Sequence, residues 1–460
     1  MANLIRTKRG LDIQISGKAQ EIIGKANTSE VIALIPDYYH GITPKIIAKE
    51  GETVKAGSPI FYNKSVPEMN FVAPVSGKII AVNRGERRKI MSITIAADAK
   101  TEYQTFKTGT LAKLSGEEIK AQLLTAGIWP YIKQRPYDVI ANPANAPKAI
   151  FISSFDSAPL APDFNFVLKT QFADFQTGID ALAKLTKGKV HLGVKAGNST
   201  SEFHSIKNVE ITEYDGPHPI GNVGIQINQI DPVNKGEVVW TINAQDVLFI
   251  GRYFNKAVVD LTKIIALTGP EVKEPQYFQT IAGTSIDPIV KGKVNLETPL
   301  RYISGNVLTG IKIEADGVLD PYANQITVID EGDETHEMFG WAMPRFNKFS
   351  TSKTYFTGIV GSKLFQNIFG ITKFKYDARL MGGVRAIIMS GEYDKVLPMD
   401  ILPEFLMKAM ITGNIDKIEN LGGYEIAPED VALCEFVCTS KLPLQFIVRN
   451  ALDNMRSELE

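Results

Sequence analysis

The chain has 460 residues, with 50 Lys+Arg against 51 Asp+Glu and a formal net charge of −1. That balance lacks the basic excess of a nucleic-acid binder. Hydrophobic residues make up 44% and charged residues 22%, ordinary globular values, and with a mean hydropathy of −0.04 no window approaches the ~20 apolar residues of a membrane helix.

A single core stops growing beyond ~250–300 residues, so roughly two to four domains are expected. Arg6, Lys8 and Arg9 stand near the N-terminus, but the apolar run of a signal peptide does not follow them. Two cysteines make no disulfide framework. The expectation is a soluble, cytoplasmic, multidomain protein.

The first hundred residues read as short strands between turn signals: Val31–Pro36, Lys45–Ala48, Ile60–Tyr62, Phe71–Ala73, Lys78–Val82 and Ser92–Ala96. That spacing predicts a small barrel or sandwich. Ser115, with Glu118 three residues on, forms a capping box for a helix that stops near Gly127. Lys148–Ser153 is an apolar run suited to a covered parallel strand. Phe175–Leu185 has helical spacing, and Lys189–Val194 is again strand-like. This alternation predicts an open α/β sheet. Asp246–Leu267 reads as one or two helices, residues 270–330 as a compact β-rich module, and 331–395 as irregular. The tail is helical: Leu402–Ile411, a segment opened by Pro428-Glu429-Asp430, and Leu442–Leu459.

Several segments invite chemistry. Gly51–Gly57 and Phe71–Ile79 resemble the two halves of a biotinyl/lipoyl carrier, but the tip of the intervening hairpin reads Met69-Asn70, and Lys64 is off the carrier spacing. The expectation is that fold without its swinging arm. Gly193–Gly197 followed by Asn198-Ser199 is a weak phosphate-cradle candidate, matching neither GxGxxG nor GxxxxGK[ST]. Gly216–Gly224, with two prolines and three glycines, fixes an unusual backbone around His218, a histidine able to hydrogen-bond or respond to pH, with a rigid structural loop as the favoured reading. Cys434 and Cys438, at i and i+4, cannot complete a four-cysteine metal or cluster site and are expected in a core. None of the five histidines shows ligand spacing, and no second histidine follows His336-Glu337 at HExxH spacing. Arg84–Lys89 is the densest basic run, read as a solvated turn.

Two aromatic stretches remain: Tyr38, Tyr39 and His40, and Trp129, Tyr131, Arg135 and Tyr137. Flat walls with one or two donors suit a quinone, whose carbonyls accept hydrogen bonds. Interdomain packing explains the same residues equally well.

The order of blocks resembles the A subunits of the bacterial Na+-translocating NADH:quinone oxidoreductases. The resemblance runs from Lys8–Ile13 and Phe71–Ile79 through Gly216–Gly224, Asp231–Asn234 and Trp240–Val247. It continues through Ser304–Gly310, Phe339–Pro344 and Asn347–Ser350 to Ala432–Cys438. It implies a peripheral subunit on the cytoplasmic face of the bacterial inner membrane, with no membrane span of its own. Its partners would be the other subunits of the complex and quinone, with no nucleic acid. The complex uses flavins and iron–sulfur chemistry to reduce quinone with NADH and export Na+, while this subunit carries no cofactor and no catalytic or metal-binding residue.

The implied fold is α+β and multidomain. A barrel-sandwich hybrid (1–100) precedes a Rossmann-like α/β domain (101–255) and a β-grasp module of the soluble-ligand-binding type (256–330). A connecting region (331–395) leads to a C-terminal helical domain (396–460). The implied role is quinone binding or access and assembly, with Tyr38, Tyr39, His40, Trp129, Tyr131, Arg135 and Tyr137 nearest the quinone. The alternatives are a pure docking scaffold with the quinone site in a membrane subunit, or an independent flavin- or NADH-binding dehydrogenase.

Overall fold

A computed structural model describes residues 3–25, 29–198, 200–333 and 373–460, with Phe365 and Ile368. His336-Glu337, Phe339–Pro344, Asn347–Ser350, Ser199 and much of the connecting region lie outside the described residues. The described residues form a mixed α+β protein of four sheets and a helical tail.

The short runs near the N-terminus fold into two small sheets. One orders Val31–Leu34, Ile90–Ala97, Gly77–Arg84 and Thr53–Val54; the other orders Pro44–Ile46, Pro59–Asn63 and Val66–Val72. Their inward residues alternate, as in a sheet with one dry face, and Phe61 stacks on Phe71 at 4.5 Å in the shared core. Lys64 and Ser65 are the two-residue turn between paired Asn63 and Val66. The first two strands do not join this barrel. Asn3–Arg6 pairs in parallel with Glu210–Asp215, and Gln20–Gly24 pairs with Gln276–Ile281, each at the edge of a larger sheet.

The helix after the barrel spans Gly116–Thr125, with the Ser115/Glu118 capping box formed. It leads into a seven-stranded sheet. Five parallel strands lie in the order Asn3–Arg6, Glu210–Asp215, Lys189–Lys195, Ala149–Ser153 and Val239–Thr241. An antiparallel hairpin, Lys133–Arg135 with Val139–Ile140, completes it. The central strand Ala149–Ser153 is buried almost throughout, which explains its continuous apolar run. Helices Phe172–Leu182, Val223–Ile230 and Val247–Lys256 accompany the sheet.

The stretch Asp246–Leu267 is not helical throughout. Its helix ends at Lys256, where Ala257 adopts a left-handed φ of 55°, and Thr262–Thr268 is a strand of the six-stranded sheet. A buried strand and a buried helix turn share the same apolar signature. That sheet orders Ile311–Ile313, Leu300–Ser304, Gln325–Asp330, Thr262–Thr268, Gln276–Ile281 and Gln20–Gly24.

At its margin Glu331 takes both Arg301 nitrogens and Lys312, which hold its carboxyl down from 4.5 to about 2. A carboxylate depressed in the folded state stabilises fully above its unfolded pKa and loses that contribution as pH falls toward the folded one. Acidification from pH 5 to 2 should therefore weaken the module by about 1–2 kcal/mol, reduced by screening of the exposed cations. Glu331→Gln should flatten that part of a pH-dependent melting curve; an unchanged slope refutes the assignment.

The tail packs helices Pro403–Thr412, Ile415–Asn420, Ala432–Val437 and Leu444–Leu459 against the hairpin edge of the large sheet. Cys438 falls just beyond its helix, and both cysteines are core residues with at most 1% exposure. Among the described residues, no helix is long and apolar enough to cross a membrane.

Candidate functional site

The order of the parallel strands reverses at one place. From Ala149–Ser153 the chain builds outward through Lys189–Lys195 and Glu210–Asp215, then returns to add Val239–Thr241 on the opposite side. Loops leaving the carboxyl ends at such a switch point diverge and open a crevice, where open α/β sheets bind ligands. Here Ser153, Phe155 and Asp156 leave one strand, and Thr241, Ile242 and Asn243 leave the other. Together they line a cleft of about 140 Å³. The six-stranded module closes it with Asn306, Thr309, Tyr322 and Asn324, and the helical tail contributes Glu429.

The cleft is rich in hydrogen-bonding groups at fixed angles. Asn222, Asn243, Asn306 and Asn324 bring amides to its wall. Tyr131 and Tyr322 meet edge to face at 5.9 Å, and the Lys133 ammonium lies 4.4 Å from the Tyr322 ring centre. Burial pushes both phenols well above their ordinary pKa, so they stay neutral. The Tyr322 hydroxyl donates to the Pro130 carbonyl at 2.7 Å, which anchors its ring across the domain boundary. Burial also raises Asp156, although the Ala158 N–H at 2.7 Å works the other way. Burial works against a charged Asp138 too, yet Lys133, Arg135 and Arg449 hold it below the usual carboxylate range. A cavity of about 150 Å³ takes a benzene ring, so this one, at about 140 Å³, is close to the size of a single six-membered ring.

The residues singled out by sequence fall in different surroundings. Tyr131 lines the cleft, and Tyr39 packs behind it, 5.9 Å from the same Tyr322 ring. Tyr38 and Tyr39 face a void of only about 20 Å³, room for about one water. The Tyr38 hydroxyl donates to Val318 O at 2.9 Å, and burial with Asp320 nearby lifts its pKa to about 12. Trp129 is fully buried, donating to Ala141 O at 2.7 Å and meeting Trp240 edge to face. His40 is half-exposed and contacts Asp453 at 2.9 Å. Arg135 is 1% exposed and donates to Asp430 at 2.6 Å and Glu429 at 2.9 Å, while the Tyr137 carbonyl accepts from Arg449 at 2.6 Å. Arg135 and Tyr137 thus tie the sheet edge to the helical tail. Of the seven, only Tyr131 touches the cleft.

Gly193 is no phosphate cradle. It lies inside strand Lys189–Lys195, where a Cβ would stand 2.2 Å from the Gln226 amide oxygen, and the next helical element is the four-residue turn Glu202–Ser205. The Arg84–Lys89 run is an exposed turn, with Lys89 paired to Asp37 at 2.6 Å. Sequence reasoning passed over Lys133, Asp156, Tyr322, Glu429 and the four asparagines. Lys133 lies inside the Trp129–Tyr137 stretch, and Glu429 inside the helix start Pro428-Glu429-Asp430. Among the described residues, no group of three or more His, Cys, Asp or Glu could hold a metal ion.

Fold and cleft together define a multidomain α+β protein with a cleft at the switch point of its seven-stranded sheet. Family profiles match residues 5–98 as an NqrA N-terminal barrel-sandwich hybrid domain, 114–259 as an NqrA second alpha/beta domain and 264–315 as an NQRA C-terminal domain. The A subunit of the Na(+)-translocating NADH-quinone reductase from Neisseria meningitidis is 37% identical over 458 residues, covering 99% of this chain and 100% of the relative. Its counterparts of the same name from Neisseria gonorrhoeae and Haemophilus influenzae are 36% and 37% identical, with the same coverage. Among solved structures, a chain of NAD+-reducing [NiFe]-hydrogenase in the air-oxidized state overlaps 76% of this chain and 67% of its own, at 11% identity and a TM-score of 0.35. The chain belongs to the NqrA family, the A subunits of the Na(+)-translocating NADH-quinone reductases.

Proposed function

We propose that this chain works as the NqrA component of a membrane complex that oxidises NADH, reduces quinone to quinol and exports Na+, and that it holds a quinone ring in the switch-point cleft. The observation that carries the proposal is the cleft itself: ring-sized, walled by Tyr131 and Tyr322, and ringed by amide and ammonium donors that suit two ring carbonyls. Tyr39, Tyr38 and Trp129 back that wall, while Arg135, Tyr137 and His40 brace it toward the tail.

In this reading the chain is peripheral on the cytoplasmic face of the membrane and carries no redox group. Flavins and iron–sulfur centres belong to its partner subunits. The α/β part is Rossmann-like, the six-stranded module is of the β-grasp kind, and the units divide near residues 100, 255, 330 and 395. Photo-crosslinking the assembled complex with an azido-quinone tests it. Label on peptides containing Tyr131–Lys133 or Tyr322–Asn324 is the expected result; label confined to other subunits overturns it.

A docking role has its own support. Leu380, Met381, Val384, Ile388 and Met389 are each 46–67% exposed within ten residues, a surface suited to a partner. Charged substitutions there should impair assembly and leave quinone affinity of the isolated chain unchanged.

A further inference from the structure

One hairpin of the N-terminal barrel carries at its tip a charge that its own acids do not offset. Strands Gly77–Arg84 and Ile90–Ala97 pair along their length. Their outer neighbours stop short: Thr53–Val54 pairs with Gly77 and Lys78, and Val31–Leu34 with Ile93 to Ala96. Asn83 with Ser92 and Arg84 with Ile90 therefore pair beyond the reach of both, and every residue from Asn83 to Lys89 is exposed. The turn is nonetheless held in place. The Gly85 N–H donates to the Lys89 carbonyl at 2.9 Å, the Lys89 N–H donates to the Glu86 carbonyl at 3.1 Å, and the Lys89 ammonium pairs with Asp37.

Four of the six residues Arg84–Lys89 are cationic and one, Glu86, is acidic, in a chain whose net charge is −1. Asp37 answers Lys89. Arg84, Arg87 and Arg88 have no carboxylate within ion-pair distance among the described residues, although Arg84 donates to the Arg88 carbonyl at 3.2 Å. Arg87 and Arg88 stand at φ 52° and 61°, a left-handed backbone that is costly for a residue with a Cβ and free for glycine. Met91, between the last two strand pairs, is the extra residue of a bulge. It is 44% exposed and lies beside Gly85. The tip thus presents three guanidinium groups next to one apolar side chain. A convex tip encloses no small anion. It fits an extended surface of phosphates, which the guanidinium fork matches, with an apolar layer within reach of the thioether.

We propose that the Arg84–Lys89 turn is a lipid-contact site, in which Arg84, Arg87 and Arg88 bind the phosphates of anionic headgroups and Met91 rests between them. The inference is independent of the quinone cleft. It rests on the reading of the chain as peripheral on the membrane, and it says which end of the barrel faces the lipid.

The test is flotation of the purified full-length chain with vesicles of phosphatidylcholine alone or of phosphatidylcholine mixed with phosphatidylglycerol. The chain should float with the mixed vesicles only, and less as salt rises. Arg87→Gly with Arg88→Gly keeps the turn, because glycine adopts both φ values freely. It should cut that binding roughly twentyfold, at roughly fivefold per basic residue near an anionic surface. Lys187→Ala with Lys291→Ala removes two exposed cations elsewhere and should leave binding unchanged, which separates the turn from net charge. Met91→Ser should also weaken binding, though less; no change there overturns the apolar half of the contact. A native chain that ignores the mixed vesicles, or a double glycine variant that binds them as the native chain does, overturns the lipid contact. If that variant also fails to assemble with the membrane subunits, the turn meets an acidic protein face instead. A native chain that sediments neither with the mixed vesicles nor with membranes holding the other subunits overturns the peripheral reading as well.

Discussion

Replacing Arg135 with methionine will destabilise the protein by about 3–5 kcal/mol, the usual cost of removing one partner from a buried ion pair. Arg135 ends the strand next to the edge of the large sheet and is 1% exposed; Asp430 opposite it is completely buried. One guanidinium nitrogen reaches Asp430 at 2.6 Å and the Glu425 carbonyl at 3.3 Å, and the other reaches Glu429 at 2.9 Å. Burial opposes the positive charge, yet Asp430, Asp138 and Glu429 raise the Arg135 pKa further. Without the cation, Asp430 keeps one bond from the Ala427 N–H. Its carboxylate is also pressed against Gly224, where a Cβ would stand 2.3 Å from Oδ1. It cannot move out to water, and burial already raises its pKa, so it would take up a proton. Arg135→Lys should recover little, because an ammonium cannot serve two carboxylates and a carbonyl in one plane. Arg135→Met with Asp430→Leu should recover much of the loss, since it removes both charges. Denaturant melts give the size of the effect, and amide exchange across residues 403–459 shows where it falls. A loss below about 1 kcal/mol would show that the network is solvated and does not bind the tail to the sheet.

That network also shows what was legible in the sequence. Local signals translated faithfully: the Ser115 cap, the short strands of the barrel, the covered strand Ala149–Ser153 and the helices of the tail. Each depends on neighbours within a few residues. Pairings over longer distances left no such trace. Asn3–Arg6 finds its partner more than 200 residues away, and nothing in its four residues specifies Glu210–Asp215. Thr262–Thr268 was misread because Ile264, Ile265 and Leu267 satisfy a helical stripe as well as a buried strand. The cleft suffers most from this limit. Its asparagines come from four separate loops, and Tyr322 enters from a turn whose only local mark is the preceding Asp320-Pro321. Aromatic clustering pointed to Tyr131 but also to Trp129 and Tyr137, which are packing residues. His218 stood out because proline and glycine flank it on both sides, a backbone signal that survives without knowledge of the fold.

Filling the cleft should separate binding from packing. Thr309 is exposed on the loop between strands Leu300–Ser304 and Ile311–Ile313, and its side chain borders the opening. The Asn306 carbonyl oxygen of the side chain accepts from the Leu308 and Thr309 N–H groups at 2.8 and 3.0 Å, so the loop backbone is fixed independently of residue 309. Thr309→Trp gives up one exposed hydrogen bond from Asn306 at 2.9 Å, a loss of a few tenths of a kcal/mol at a surface site. The indole would occupy much of a 140 Å³ space. Quinone affinity of the purified chain should fall at least about tenfold, equivalent to ~1.4 kcal/mol, with the melting curve unchanged. Lys64→Trp, in the hairpin turn of the barrel, is the matched control for an added surface indole and should leave binding intact. Equal affinity in the Thr309→Trp and native proteins would place the quinone elsewhere, because a ring and an indole cannot share a cavity of this size.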